Sequence, residues 1–246
     1  MNNTLHFLAT EDQSCYVQYP RGGNITEVKV NFGAGQAGLA SWINVDIGTK
    51  YAVYKFLPIF RIVRRFDLIS PEIVSWIEDS GRPPPNWKKW DITRKTPLLD
   101  GSVDYVYCSE VIEHFPRYEA KKVIDEAFRI LKQGGIFRVT TPDVSLICKG
   151  YLSGSIDIEF FNSFFFWTNQ RKKPSFLERI GERIYSSNPH LFLYDFESLR
   201  EALRTAGFSD VVMCDMGKGR IPDLDLLEKH TAKEREFSMY VECTKK

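Results

Sequence analysis

Apolar and polar positions alternate through "EVKVNFG" (27–33) and the alternation stops at a glycine, which predicts a strand that delivers its end to a turn. "SWINVDIG" (41–48) predicts a second, shorter strand. "SVDYVYCS" (102–109) and "GIFRVTTP" (135–142) predict two more, each rich in β-branched or aromatic residues and each ended by polar residues or proline. Between the last two, "RYEAKKVIDEAFRILKQGG" places Ala120, Val123, Ile124, Ala127, Phe128 and Leu131 on one helical face, with Gly134 as the stop. "YDFESLREALRTAG" predicts a further helix with Asp195 as N-cap, Leu199, Ala202, Leu203 and Ala206 on its buried side, and Gly207 as terminator.

"FSDVVMCDM" and "EFSMYVECTKK" predict two closing strands with no clear helix between them. Strands alternating with helices imply an α/β fold with a doubly wound, mostly parallel sheet, and the closing pair implies one antiparallel strand at its edge. Two regions fall outside this rhythm. In residues 49–90, "FLPIFRIVRRF" lines up Phe56, Ile59, Phe60, Val63 and Phe66, and "SPEIVSWIEDSG" reads as a helix with Ser70 as N-cap, Pro71 at its first position and Gly81 as its end. Residues 150–190 carry the aromatic run "IEFFNSFFFWTNQRKKPSF".

Composition narrows the functional classes. A chain of 246 residues with 43% hydrophobic and 26% charged content fits a single α/β domain with embellishments, or at most two small domains. Lysine and arginine number 33 against 32 acids, a net charge of +1, so no global field draws the chain to nucleic acid or an anionic surface. No apolar run approaches the roughly 20 residues of a membrane-spanning helix, so a cytoplasmic location is expected. The five cysteines are scattered and read as reduced core thiols rather than as a disulfide or zinc framework; no metal set is assigned.

The first turn holds a literal G-x-G-x-x-G in Gly33, Gly35 and Gly38, followed by Asp46. A dinucleotide site wants its ribose-binding acid roughly 20 residues beyond the glycines, because a crossover helix and a returning strand must fit between them. Here the second strand begins almost at once, which argues against a dinucleotide pocket. Two readings of the segment stay open: a bare turn between strands, or a shortened cofactor turn.

With "WINVDI", "KKWDITRKTPLLDGSVDYVYCSEVIEHF" and "EAFRILKQGGIFRVTTPD" following in that order, the sequence resembles the class I S-adenosylmethionine-dependent methyltransferases, and within them the bacterial type 11-like group with a shortened first crossover. The resemblance runs from about residue 27 to 150 and resumes at "HLFLYDFESLREALRTAGF". It implies a Rossmann-like fold in a single domain over 1–246, with the insertions at about 49–90 and 150–190 acting as a substrate lid or an oligomer contact. S-adenosyl-L-methionine is the implied cofactor. Gly33, Ala34 and Gly35 would approach its methionine part and ribose, with Asn31 at a position where many members carry an acid. Asp46 would accept the ribose hydroxyls, with Ile47 beside it. Asp91 would accept the adenine amino group with Ile92 on the ring, and Ser109 and Glu110 would face the methionine end.

Three residues are candidates for chemistry. His114 has the pKa range of a general base near neutral pH, against the alternative of a loop-capping imidazole. Asp143 is either an N-cap of the next helix or catalytic. His190 lies where the chain leaves the aromatic insertion and is a candidate to face substrate. The implied activity is O- or N-methylation of a small molecule or saccharide. The rival readings are a non-catalytic binding module on the same fold and an NAD(P)-dependent oxidoreductase. No nucleic-acid partner is expected, and a homo-oligomer is an open alternative.

Overall fold

The structure is a computed structural model that describes residues 27–35, 38–47, 55–66, 74, 78, 83–165, 190–229 and 233–246. Strands β1 (Lys29–Phe32), β2 (Ile43–Val45), β3 (Trp87–Lys88), β4 (Val103–Ser109) and β5 (Leu131–Pro142) form the parallel part of the sheet. β6 (Phe208–Cys214) and β7 (Ser238–Lys245) complete it in the order β3-β2-β1-β4-β5-β7-β6. The antiparallel strand is β7, which sits one place in from the edge and runs against both β5 and β6.

Among the described residues the helices are α1 (Leu57–Arg64), α2 (Arg117–Ile130), α3 (Val144–Leu152), α4 (Ile158–Ser163), α5 (Phe196–Thr205) and the single turn α6 (Leu224–Leu227). The apolar faces of α2 and α5 close one side of the sheet, where Ala120, Val123, Ile124, Leu199 and Leu203 pack on Val30, Val106, Phe137 and Val241 in the main core. As predicted, Asp195 caps α5: its carboxylate accepts the Ser198 N–H at 2.8 Å while the Ser198 hydroxyl accepts the Asp195 N–H at 3.1 Å. The expected end of α2 at Gly134 is corrected. The helix stops at Ile130, Leu131 already pairs with Val103 in the sheet, and Gly134 (φ +78°) lies within the register shift that separates this pair from Tyr105 and Ile136.

The other side of the sheet is more polar. There the chain from 215 to 228 is fastened to β5 and β7 through Arg138, which is 0% exposed and meets Glu228 at 2.6 and 2.8 Å. A separate, smaller apolar cluster joins Ile147 of α3 to Ile156, Phe160, Phe164 and Phe237, which places the first part of the aromatic insertion beside the end of β5.

The helix expected after Ser70 and the later part of the second insertion lie outside the described residues. Among the described residues no helix is long and apolar enough to cross a membrane, and Cys108, Cys148, Cys214 and Cys243 are free thiols.

Candidate active site

Because β1 to β5 run parallel, their carboxyl ends share one rim, and in open sheets of this kind the crevice forms where strand order reverses. β1 is that point, with β2 on one side and β4 on the other. Every strand-end residue singled out in the sequence therefore falls along this rim: Gly33 after β1, Asp46 after β2, Asp91 after β3, Ser109 closing β4 and Asp143 after β5.

The glycine turn is tightly specified. Gly33 has φ +64°, and a Cβ there would lie 2.3 Å from a Val111 methyl, so the turn after β1 packs directly on the chain leaving β4. Ala34 donates its N–H to the Val45 carbonyl at 3.1 Å. The Gly35 N–H donates to Asp46 Oδ2 at 3.3 Å, so the acid at the end of β2 braces the turn. Gly38 serves differently: a Cβ would lie 2.4 Å from Pro84 and 2.7 Å from the Asn44 amide. The third glycine of the motif is thus a packing position, and no crossover helix separates it from β2.

Asn31 is 2% exposed and donates to Asn44 Oδ1 at 3.4 Å. Asn44 in turn donates to the carbonyls of Pro85 at 2.6 Å and Leu39 at 2.9 Å, which ties together the loops on either side of β2. Asp91 accepts the N–H and hydroxyl of Thr93 at 2.9 and 2.6 Å. Partial burial works to raise its carboxyl, but the Thr93 bonds and Arg94 outweigh it and hold the group below the usual aspartate value. Ile92 is 5% exposed and packs in the main core, whereas Ile47, next to Asp46, is 53% exposed.

At the end of β4 the Ser109 hydroxyl accepts from Thr140 and from Arg235 Nη1, each at 2.6 Å. Glu110 follows at φ +54°, a conformation that costs a non-glycine residue energy and is held here by its N–H on the Thr140 carbonyl at 2.9 Å. Arg235 Nη1 also stands 3.5 Å from Glu110 Oε1. Sequence reasoning missed Arg235; it is 126 residues from Ser109, and only the fold of the C-terminal segment brings them together.

A second group lies one turn further on. Residues Ile112–His114 form a 3-10 turn that points Glu113 inward, where it is 0% exposed. Its Oε2 accepts the Thr141 hydroxyl at 3.2 Å, and its Oε1 is buried without a hydrogen-bond partner. Burial, with the negative charge of Glu110 added, pushes the Glu113 carboxyl well above the usual range.

The Glu113 carbonyl accepts the N–H groups of Leu191 and Phe192 at 2.7 and 3.2 Å, which lays His190 against His114 with ring centroids 4.8 Å apart. Burial and the neighbouring His114 lower the His190 imidazole to about 4, against an opposing pull from the Phe164 backbone. Thus two of the three chemical candidates, His114 and His190, are brought together with Glu113, whose place in "VIEHF" was its only sequence signal. Asp143 stands apart as the N-cap of α3: its carboxylate accepts the Ser145 N–H at 2.8 Å.

Residues 43–139 match the methyltransferase-domain family. A curated Mycolicibacterium smegmatis protein named "Probable S-adenosylmethionine-dependent methyltransferase" is 45% identical over 47 residues, which span 19% of this chain and 18% of that protein's length. A SAM-dependent methyltransferase from Thermotoga maritima is 17% identical, with 89% of this chain and 83% of that one covered and a TM-score of 0.43. One from Archaeoglobus fulgidus is 14% identical, with 89% and 86% covered and a TM-score of 0.44.

Proposed function

We propose, from the domain match over residues 43–139 and the order of the sheet, that this chain is a class I S-adenosylmethionine-dependent methyltransferase that transfers a methyl group from S-adenosylmethionine to a hydroxyl-bearing small molecule or saccharide. The observation that carries the reading is the pairing of Asp46 with the Gly35 N–H. It sets a carboxylate and an open backbone turn side by side at the switch point of the sheet.

The residues present suit this cofactor. Gly33 to Gly35 form a turn without bulky side chains for the methionine and ribose portions to approach. Asp46 supplies the two acceptor oxygens that a pair of ribose hydroxyls needs. Ile47 offers the exposed apolar surface on which an adenine ring packs, and Asp91 offers an acceptor for its amino group. Ser109, Glu110 and Arg235 bring together the acceptor and donor groups that an amino-acid end of either charge requires. Asn31 acts one step back, holding Asn44 and hence the loops that flank β2.

Bound there, S-adenosylmethionine supplies an electrophilic methyl group on a sulfonium. The chain's share of the chemistry is alignment and proton handling: it holds an acceptor oxygen in line with the carbon–sulfur bond, and His114 takes the proton that the acceptor loses. The near-neutral charge of the chain favours a small acceptor over nucleic acid.

Calorimetric titration with S-adenosylhomocysteine tests the reading. The full chain is expected to bind one equivalent, and Asp46→Ala to weaken binding by roughly 10- to 150-fold, the worth of about 1.5–3 kcal/mol for hydrogen bonds to a charged group. Absence of binding to the unaltered chain would overturn it. Binding without turnover of any hydroxylated acceptor would favour the non-catalytic module.

A further inference from the structure

We infer that Glu113, His114 and His190 form a binding site for one first-row divalent transition-metal ion, with Zn²⁺ the ion that suits the donor set best. One ligand atom from each of the three residues lies within 4.8 Å of the other two, and Glu113 Oε1 stands 4.0 Å from His114 Nε2. Donors around a tetrahedral zinc ion with bonds of about 2.0–2.2 Å are separated by roughly 3.3–3.5 Å. Side-chain rotations that draw the atoms together by about 0.5–1.5 Å therefore close the site around an ion.

The second observation is the state of the donor atoms. Glu113 Oε1 and His190 Nδ1 are both buried and both lack a hydrogen-bond partner, and Glu113 itself is 0% exposed. Orphaned buried polar atoms are costly and uncommon, and two of them in one three-residue cluster call for a shared ligand. A proton on Glu113 can be shared with the neighbouring Glu110 carboxylate, but it leaves His190 Nδ1 without a partner. A cation bridging the cluster satisfies Glu113 Oε1 and His190 Nδ1 at once.

The surroundings orient these ligands as outer partners do in metal sites. The Thr141 hydroxyl holds the other Glu113 oxygen at 3.2 Å. The His190 imidazole also meets the Phe164 backbone, while its Nδ1 is buried without a hydrogen-bond partner. The two N–H bonds from Leu191 and Phe192 to the Glu113 carbonyl lock the returning chain in place.

Two imidazoles and one carboxylate match a borderline ion rather than Ca²⁺ or Mg²⁺, which prefer oxygen. Three protein ligands also leave a coordination position open. The site lies on the same rim as Ser109 and Glu110, so an ion there would take over from His114, which becomes its ligand, the task of favouring the ionised form of an acceptor hydroxyl. Binding of the ion stands independently of the methyl-transfer reading; its use on an acceptor rests on it.

The test uses the full chain stripped with a chelator and titrated with Co²⁺ as a spectroscopic probe, then with Zn²⁺. The expected result is one equivalent of Co²⁺ with visible ligand-field absorption that Zn²⁺ abolishes. Glu113→Gln and His190→Asn should each weaken the ion at least about 100-fold, and Thr141→Val about 10-fold, as loss of an outer partner does. Cys148→Ser should leave the absorption unchanged, which separates the site from the exposed thiol. Absence of the visible bands in the unaltered chain would overturn the inference. So would bands that survive in whichever of Glu113→Gln and His190→Asn keeps the wild-type circular dichroism, or bands lost with Cys148. One-equivalent ion binding without S-adenosylhomocysteine binding would remove the proposed function and leave this site standing.

Discussion

Two buried groups of charged side chains lie against the same sheet, and they are finished to different degrees. Around Arg138 every donor is used: Nε and Nη2 meet Glu228 at 2.6 and 2.8 Å, Nη1 and Nη2 meet the Lys218 and Asp215 carbonyls at 3.0 Å each, and Nη1 reaches Glu242 at 3.4 Å. Glu242 is completed by the Arg220 N–H at 3.0 and 3.1 Å. Around Glu113 one oxygen accepts from Thr141 while the other faces His114 Nε2 at 4.0 Å and the Glu110 carboxylate with no donor in hydrogen-bond range, and the neighbouring His190 Nδ1 has no partner. Since burial penalises a charge whether or not it has a purpose, the satisfied group reads as a fastening for residues 215–228. The unsatisfied one reads as a site that waits for a ligand. Burial alone does not separate the two; the hydrogen-bond inventory does.

The sharpest way to break this comparison is Arg138→Met. It leaves the buried Glu228 without its counter-charge while Glu242 keeps Arg220, and removing one member of a buried ion cluster typically costs about 3–5 kcal/mol. Denaturant unfolding should show a loss of about that size, with S-adenosylhomocysteine binding reduced only in proportion to the unfolded fraction. The triple change Arg138→Met, Glu228→Leu, Glu242→Leu should recover most of the loss, because an apolar replacement of a whole buried ion group is often neutral. A cost below about 1 kcal/mol for the single change would mean that water reaches the cluster and that the contrast between the groups is false.

What the sequence disclosed follows the same division between local and distant relations. Strands appeared through alternation, α2 and α5 through their apolar faces, and the Asp195 cap through its position before a periodic segment, all of which depend on residues a few places apart. The rim residues were legible for a further reason: a parallel sheet carries all its strand ends to one side, so naming the strand ends Gly33, Asp46 and Ser109 named one surface.

The end of α2 was misread because Gly134 looks like a helix terminator, while pairing of Leu131 with Val103 had already claimed the chain for the sheet. Arg138 and Glu228 are 90 residues apart and Ser109 and Arg235 are 126 apart, and no periodicity links them. Glu113 was quoted within a motif yet passed over, because an acid beside a histidine in a loop resembles an ordinary solvated charge until the inward turn at Ile112–His114 is seen.

Thr141→Val probes the less finished group with a smaller effect. Valine keeps the shape of this fully buried side chain but removes the hydroxyl that holds Glu113 Oε2. Loss of one such bond should lower stability by about 1 kcal/mol in the metal-free chain. If instead the loss reaches the 3–5 kcal/mol expected of a broken ion cluster, Thr141 belongs to a structural network of the Arg138 kind.

Glu113→Gln should have the smallest effect on stability and the most informative one. Burial and Glu110 already push the Glu113 carboxyl well above the usual range, toward its neutral form, so a neutral amide of nearly the same shape removes little that the metal-free fold depends on. The amide oxygen can still accept from Thr141, and the orphan oxygen becomes an orphan amino group. The unfolding free energy should therefore change by less than about 1 kcal/mol, while ion affinity falls at least about 100-fold, since an amide supplies no negative charge to the metal. Arg138→Met should behave in the opposite way, with lower stability and unchanged ion affinity in the folded fraction. If both substitutions moved both quantities together, the two clusters would form one coupled structural unit rather than a fastening and a site.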